Sequence, residues 1–173
     1  MNEMTVAGST FSGSNATYAG SIYSNKNNLV IINSTFKDSY ADKTGGAIGI
    51  SEFESMKINN CTFINSKSIK NGGAVYIDAA GGKLSNNKTQ YAKLTDTRFV
   101  DCRSEFGGAY LQLGGTLDIE GCEFINNSAS SSGGAFYTSH ANISMKSTRF
   151  IDNSASGNGG AIFIDLTNST LDN

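Results

Sequence analysis

The sequence predicts an all-β fold: a right-handed parallel β-helix of about six to seven coils, each of roughly 25 residues and three short strands. Three observations predict it. A Phe is followed eight or nine residues later by Gly-Gly-Ala, over and over. Apolar and polar residues alternate ahead of each Phe. Polar and glycine-rich turns fill the intervals.

The repeat is read from the Phe positions 11, 36, 63, 99, 124 and 150, which lie 25, 27, 36, 25 and 26 residues apart. Five Gly-Gly-Ala triplets follow them, at Gly45, Gly72, Gly107, Gly133 and Gly159, and Ala19-Gly20-Ser21 is a degenerate first copy. A period of this size means a stacked array. Short strands of one coil cannot bury an apolar face alone. Stacking coils at the inter-strand spacing of about 4.8 Å does so. Parallel crossovers of this kind are right-handed.

Each coil opens on an alternating segment. Met4/Val6, Leu29/Ile31, Met56/Ile58, Ala92/Leu94, Leu117/Ile119 and Ile143/Met145 stand seven and five places before Phe, with Thr5, Val30, Lys57, Lys93, Asp118 and Ser144 between them. Period two is the mark of a half-buried strand. Two places before Phe the inward residue is small: Ser9, Ser34, Cys61, Thr97, Cys122 or Thr148. A second strand centres on the Phe itself. A polar turn follows, with Gly13, Asp38, Asn65, Asp101, Asn126 and Asp152 in one column and a small residue, Ala or Ser, three places on. The glycine pair permits a tight bend. A third strand follows the Ala, with Ile22, Ile48, Val75, Tyr110, Phe136 and Ile162 inward. The next column, Tyr23, Gly49, Tyr76, Leu111, Tyr137 and Phe163, is expected outward. The whole chain, 1–173, reads as one domain with a loop insertion at about 78–90, and this insertion accounts for the 36-residue interval.

Composition narrows the function classes. The chain has 173 residues, 20 Gly, no Pro and a net charge of −2. No basic run or basic face is present, so nucleic-acid binding has no electrostatic footprint. No run of 18 apolar residues exists to span a membrane as a helix. Met1-Asn2-Glu3-Met4 shows no positively charged or apolar leader, so no signal peptide is visible.

These tetrapeptides resemble the polymorphic outer-membrane-protein repeat family, which is marked by GGA(I/V/L/Y) and FxxN. Gly45–Ile48, Gly72–Val75, Gly107–Tyr110 and Gly159–Ile162 match the first. Phe124-Ile125-Asn126-Asn127 and Phe150-Ile151-Asp152-Asn153 match the second, and the other Phe copies lack the final Asn. The resemblance implies a right-handed parallel β-helix displayed outside the cell, at its surface, where it adheres or builds surface structure. Catalysis is not expected, and neither a cofactor nor a metal site is expected.

The alternative is a polysaccharide-binding module, or a polysaccharide lyase or glycosidase on the same coil. The enzymes need clustered carboxylates. Asp38, Asp101 and Asp152 share a column, but Asn65 and Asn126 alternate with them, and a structural corner ladder explains the column as well. Arg98 and Arg149 share another with Thr62 and Glu123. His140 is the sole histidine and reads as a surface residue. A binding module would stack sugar rings on Tyr23, Tyr76, Tyr137 and Phe163; packing between coils is the plainer reading. Cys61, Cys102 and Cys122 are expected reduced, since Cys61 and Cys122 lie two coils apart, beyond disulfide reach. Seven sequons, at Asn15, Asn33, Asn60, Asn87, Asn126, Asn142 and Asn168, are candidates for glycosylation.

The first coil begins at Met4-Thr5-Val6, and Leu171-Asp172-Asn173 starts another. Neither shows a polar cap. Uncapped coils are expected either to continue into a longer β-helix or to stack end to end on further copies as a filament.

Overall fold

A computed structural model describes residues 1–80 and 89–165. The chain winds through six stacked coils, and each coil contributes one strand to each of four six-stranded parallel sheets. The first sheet holds Asn2–Ala7, Asn27–Ile32, Ser55–Asn59, Tyr91–Thr95, Thr116–Glu120 and Asn142–Lys146. The second holds Thr10–Ser12, Thr35–Lys37, Thr62–Ile64, Arg98–Val100, Glu123–Ile125 and Arg149–Ile151. The third holds Asn15–Tyr18, Tyr40–Thr44, Lys67–Ser68, Arg103–Phe106, Ser128–Ser132 and Ser154–Ala155. The fourth holds Ile22–Asn25, Ile48–Ser51, Val75–Asp78, Tyr110–Leu113, Phe136–Ser139 and Ile162–Asp165.

The coil therefore has four strands where the sequence predicts three. The added strand lies in what reads as the polar turn after Phe. Its inward column is Ala16, Ala41, Ser68, Ser104, Ala129 and Ala155. Small inward residues give no apolar alternation, so the segment looks like a loop. Its backbone pairs with the coils above and below all the same.

The Phe column forms the axis of the core. Phe11, Phe36, Phe63, Phe99, Phe124 and Phe150 stack face to face with each successive pair of ring centroids 4.8 Å apart. Phe36, Phe63, Phe99 and Phe124 are fully buried, and the two terminal rings are half-buried. Leu29, Ile31, Met56, Ile58, Leu94, Leu117 and Ile119 fill the core from the first sheet as expected. Met4 is 48% exposed although it pairs in register with buried Leu29, because only one coil covers it. The cysteines are free and buried, Cys102 included.

Each corner turns on a residue with positive φ. Gly8, Asn33, Asn60, Asp96, Gly121 and Ser147 join the first and second strands; Gly13, Asp38, Asn65, Asp101, Asn126 and Asp152 join the second and third. Gly, Asn and Asp tolerate this left-handed region best, which is why these columns are so uniform in chemistry. The third corner is the glycine pair. At Gly133, φ is +67°, and a Cβ would stand 2.4 Å from the Phe136 carbonyl oxygen. At Gly134, a Cβ would stand 1.9 Å from the Gly160 carbonyl oxygen of the next coil. The first glycine serves the turn, and the second serves the stacking. Gly160, in the sixth coil, meets nothing closer than 3.8 Å.

Candidate functional site

The family-like Asn residues prove to be internal fasteners. Asn127 is fully buried. Its Oδ1 accepts from the Cys102 N–H at 2.9 Å, and its Nδ2 donates to the Phe99 carbonyl at 3.1 Å. Asn153 repeats the pattern one coil on: its Oδ1 accepts from the Asn127 N–H at 2.9 Å and its Nδ2 donates to the Phe124 carbonyl at 2.8 Å. In coils five and six, therefore, one amide ties the corner to the coil before it. The equivalent positions in earlier coils are Ser14, Ser39, Ser66 and Cys102, and the buried Ser66 Oγ has no partner.

The acidic column that the alternative enzyme reading draws on is a ladder of hydrogen-bonded rungs. Asn65 Nδ2 donates to Asp38 Oδ1 at 2.6 Å, and Asn126 Nδ2 to Asp101 Oδ1 at 2.5 Å. Asn60 Nδ2 donates to Asn33 Oδ1 at 2.8 Å in the neighbouring corner. The sequon amides of Asn60 and Asn126 are therefore engaged, whereas Asn15, Asn33 and Asn142 are exposed with no hydrogen bond donated by their side-chain nitrogen among the described residues. Asn87 and Asn168 lie outside the described residues, as do most of the insertion and Leu171-Asp172-Asn173. Glu123 stands between Arg98 and Arg149 at 2.9 and 3.1 Å, an ion-paired triad on the outer face of the second sheet. His140 is exposed with φ of +57°, and its Nδ1 meets the Ser139 hydroxyl. It borders a cleft of about 680 Å³ with Ala79, Leu113 and the Gly114-Gly115 pair.

The aromatic column of the fourth sheet faces outward, beside the glycine bend. Tyr137 and Phe163 stack at 4.8 Å. Tyr76 and Tyr137 are separated by Leu111, their register partner on both sides, which is only 2% exposed. Phe106, from the end of the third sheet, meets Tyr137 edge-on at 5.7 Å across the bend. The upper half of this column is therefore a packed strip. In the lower half Tyr23 is 58% exposed, Gly49 follows it, and Tyr76 is half-buried. Tyr18 lies across the bend, 6.5 Å from Tyr23. Burial, with the Asp78 carboxylate and Tyr23 adding to it, pushes the Tyr76 hydroxyl up to about 12. It stays protonated and able to donate throughout the ordinary pH range. Lys43 Nζ donates to Tyr18 Oη at 2.8 Å and sits 4.8 Å from its ring centroid. Phe106, Tyr18 and Lys43 escape the sequence reading because they belong to the third strand it lacks.

Residues 121–139 and 147–165 match the Chlamydia polymorphic membrane protein repeat. Each match runs from the second-sheet strand through the glycine bend to the end of the fourth-sheet strand, in coils five and six. The two adjacent repeats and the parallel solenoid fit that repeat family. No curated protein and no solved structure shows significant similarity to the chain.

Proposed function

We propose that this chain, a parallel solenoid carrying polymorphic-membrane-protein repeats, is an adhesin-like protein of the extracellular surface that works without catalysis. The observation that carries the reading is the match over coils five and six. There both motif tetrapeptides serve the backbone: the glycines close the bend, and Asn127 and Asn153 fasten coil to coil. Function is left to the outer columns, which the scaffold repeats at fixed spacing. The test is attachment of protein-coated beads to cultured epithelial cells. Attachment should saturate and be competed by free protein; beads that bind no better than albumin-coated ones would refute the reading.

The lyase or glycosidase alternative draws on the Asp38, Asp101 and Asp152 column. Asn65 and Asn126 separate its carboxylates and pair with Asp38 and Asp101, which suits a ladder better than an acid and base acting together. Release of reducing ends or unsaturated products from acidic polysaccharides would overturn that preference. Two further elements belong to the surface reading. Asn15 and Asn142 are the sequons best placed to carry glycans, with mass spectrometry of native material as the check. End-to-end stacking would use the first coil, where Met4 is exposed and each strand pairs on one side only among the described residues. Electron microscopy of purified protein at rising concentration would show rods lengthening by whole solenoids, or single rods if the idea is wrong.

A further inference from the structure

The chain contains two Asn-Gly pairs, Asn71-Gly72 and Asn158-Gly159, each at the start of a glycine bend. In this dipeptide the backbone nitrogen reaches the preceding side-chain amide most easily, because glycine has no Cβ to obstruct the approach. The two bends share one shape: φ is +60° at Gly72 and +63° at Gly159. They differ in what holds the N–H. At every bend from the first coil to the fifth it donates to the coil that follows. Ala19 donates to the Thr44 carbonyl, Gly45 to Asn71, Gly72 to Phe106, Gly107 to Ser132 and Gly133 to Asn158, all at 2.9 to 3.0 Å. The Gly159 N–H has no partner among the described residues. Asn71 is half-buried and bridged to Thr44 on one side and Phe106 on the other. Asn158 is exposed, and its side-chain amide makes no hydrogen bond among the described residues.

We infer that Asn158 is a site of spontaneous deamidation, a modification that consumes only water. Hydroxide removes the Gly159 amide proton. The nitrogen then attacks Asn158 Cγ, and the side-chain nitrogen takes a proton from water and leaves as ammonia. The product is a succinimide ring shared by the two residues. A second water opens it. Attack at Cγ gives aspartate, and attack at the main-chain carbonyl carbon gives isoaspartate, whose backbone runs through Cβ. Either product gains one carboxylate. A hydrogen-bonded N–H neither loses its proton nor turns toward the side chain until its bond opens, so Gly72 is protected where Gly159 is not. Isoaspartate also lengthens the backbone by one methylene and displaces the Asn158 carbonyl, which accepts from the Gly133 N–H at 3.0 Å. Conversion therefore loosens coil six from coil five at this corner.

The test is incubation of the full chain at low concentration and mildly alkaline pH, folded and in urea, with tryptic mapping over time. Conversion adds one mass unit to the peptide 150–173 for Asn158 and to the peptide 71–83 for Asn71. Electron-transfer fragmentation locates the residue and separates aspartate from isoaspartate. Asn158 should convert at much the same rate folded or in urea, and Asn71 at least roughly tenfold more slowly when folded. Thr44→Asn, which makes a third such pair at a covered bend, should convert as slowly as Asn71. The inference is overturned if Asn158 stays intact in the folded chain while it converts in urea, or if Asn71 keeps pace with it in the folded chain. Raising the concentration separates this site from end-to-end stacking. Conversion that slows as rods lengthen supports both, and conversion at a constant rate supports the site alone.

Discussion

Removal of the Asn127 side chain should be among the most damaging small changes in this solenoid. Asn127→Ala takes a hydrogen bond from the Cys102 N–H and another from the Phe99 carbonyl, both buried. Each backbone group left unsatisfied costs about 1–3 kcal/mol. Two of them give about 2–6 kcal/mol, before any penalty for the small void. The control is Asn126→Gly, next along the chain. It keeps the positive φ of +52° and loses only an exposed amide bond to Asp101, so it should cost under about 1 kcal/mol. The converse is Ser66→Asn in the same inner column. Its hydroxyl is buried without a partner, and an amide there would reach toward the preceding coil as Asn127 does, gaining about 1 kcal/mol. Urea denaturation followed by far-ultraviolet circular dichroism measures all three. A loss below about 1 kcal/mol for Asn127→Ala, or an equal loss for Asn126→Gly, would refute the claim that the buried amide fastens the coils.

Three further outcomes follow from the stacking. Gly134→Ala should abolish folding, whereas Gly8→Ala, at a left-handed φ of +57° but with open space around it, should cost about 1 kcal/mol; similar soluble yields and midpoints for the two would contradict the role of the Gly160 carbonyl. Phe99→Ala, in the middle of the ring stack, should cost about 3–5 kcal/mol, and Phe11→Ala, half-buried in the first coil, clearly less; equal losses would argue against a continuous stack. Stability should also fall in alkali. Burial raises all three thiols, Cys122 to about 11 and Cys102 to about 12, so the folded chain holds protons that the unfolded chain gives up from near pH 9. The contribution is complete below pH 9 and is lost as pH rises toward 11–12, at up to about 1.4 kcal/mol per pH unit for each of Cys102 and Cys122. A urea midpoint that stays flat from pH 8 to 10.5 would exclude this.

The sequence by itself determined the period, the Phe stack, the inward residues of the first, second and fourth sheets, and the bend at each Gly-Gly-Ala. These follow from local pattern: alternation shows which side chains are apolar, and spacing shows which of them recur. It also placed Tyr23, Tyr76, Tyr137 and Phe163 in one outward column. The tertiary structure alone decided what those columns do. Gly134 is glycine because of a carbonyl 26 residues further on, and Asn127 is buried because a neighbouring coil leaves backbone groups to be bonded. The third sheet is held by stacking, since its small inward residues carry no apolar signal. The single outward column divides into a packed strip at Leu111, Tyr137 and Phe163 and an exposed ring at Tyr23, which lies over the buried Gly49. Stacking makes residues about one coil apart into neighbours 4.8 Å away, so the chemistry of a rung is set by sequence that no local window contains.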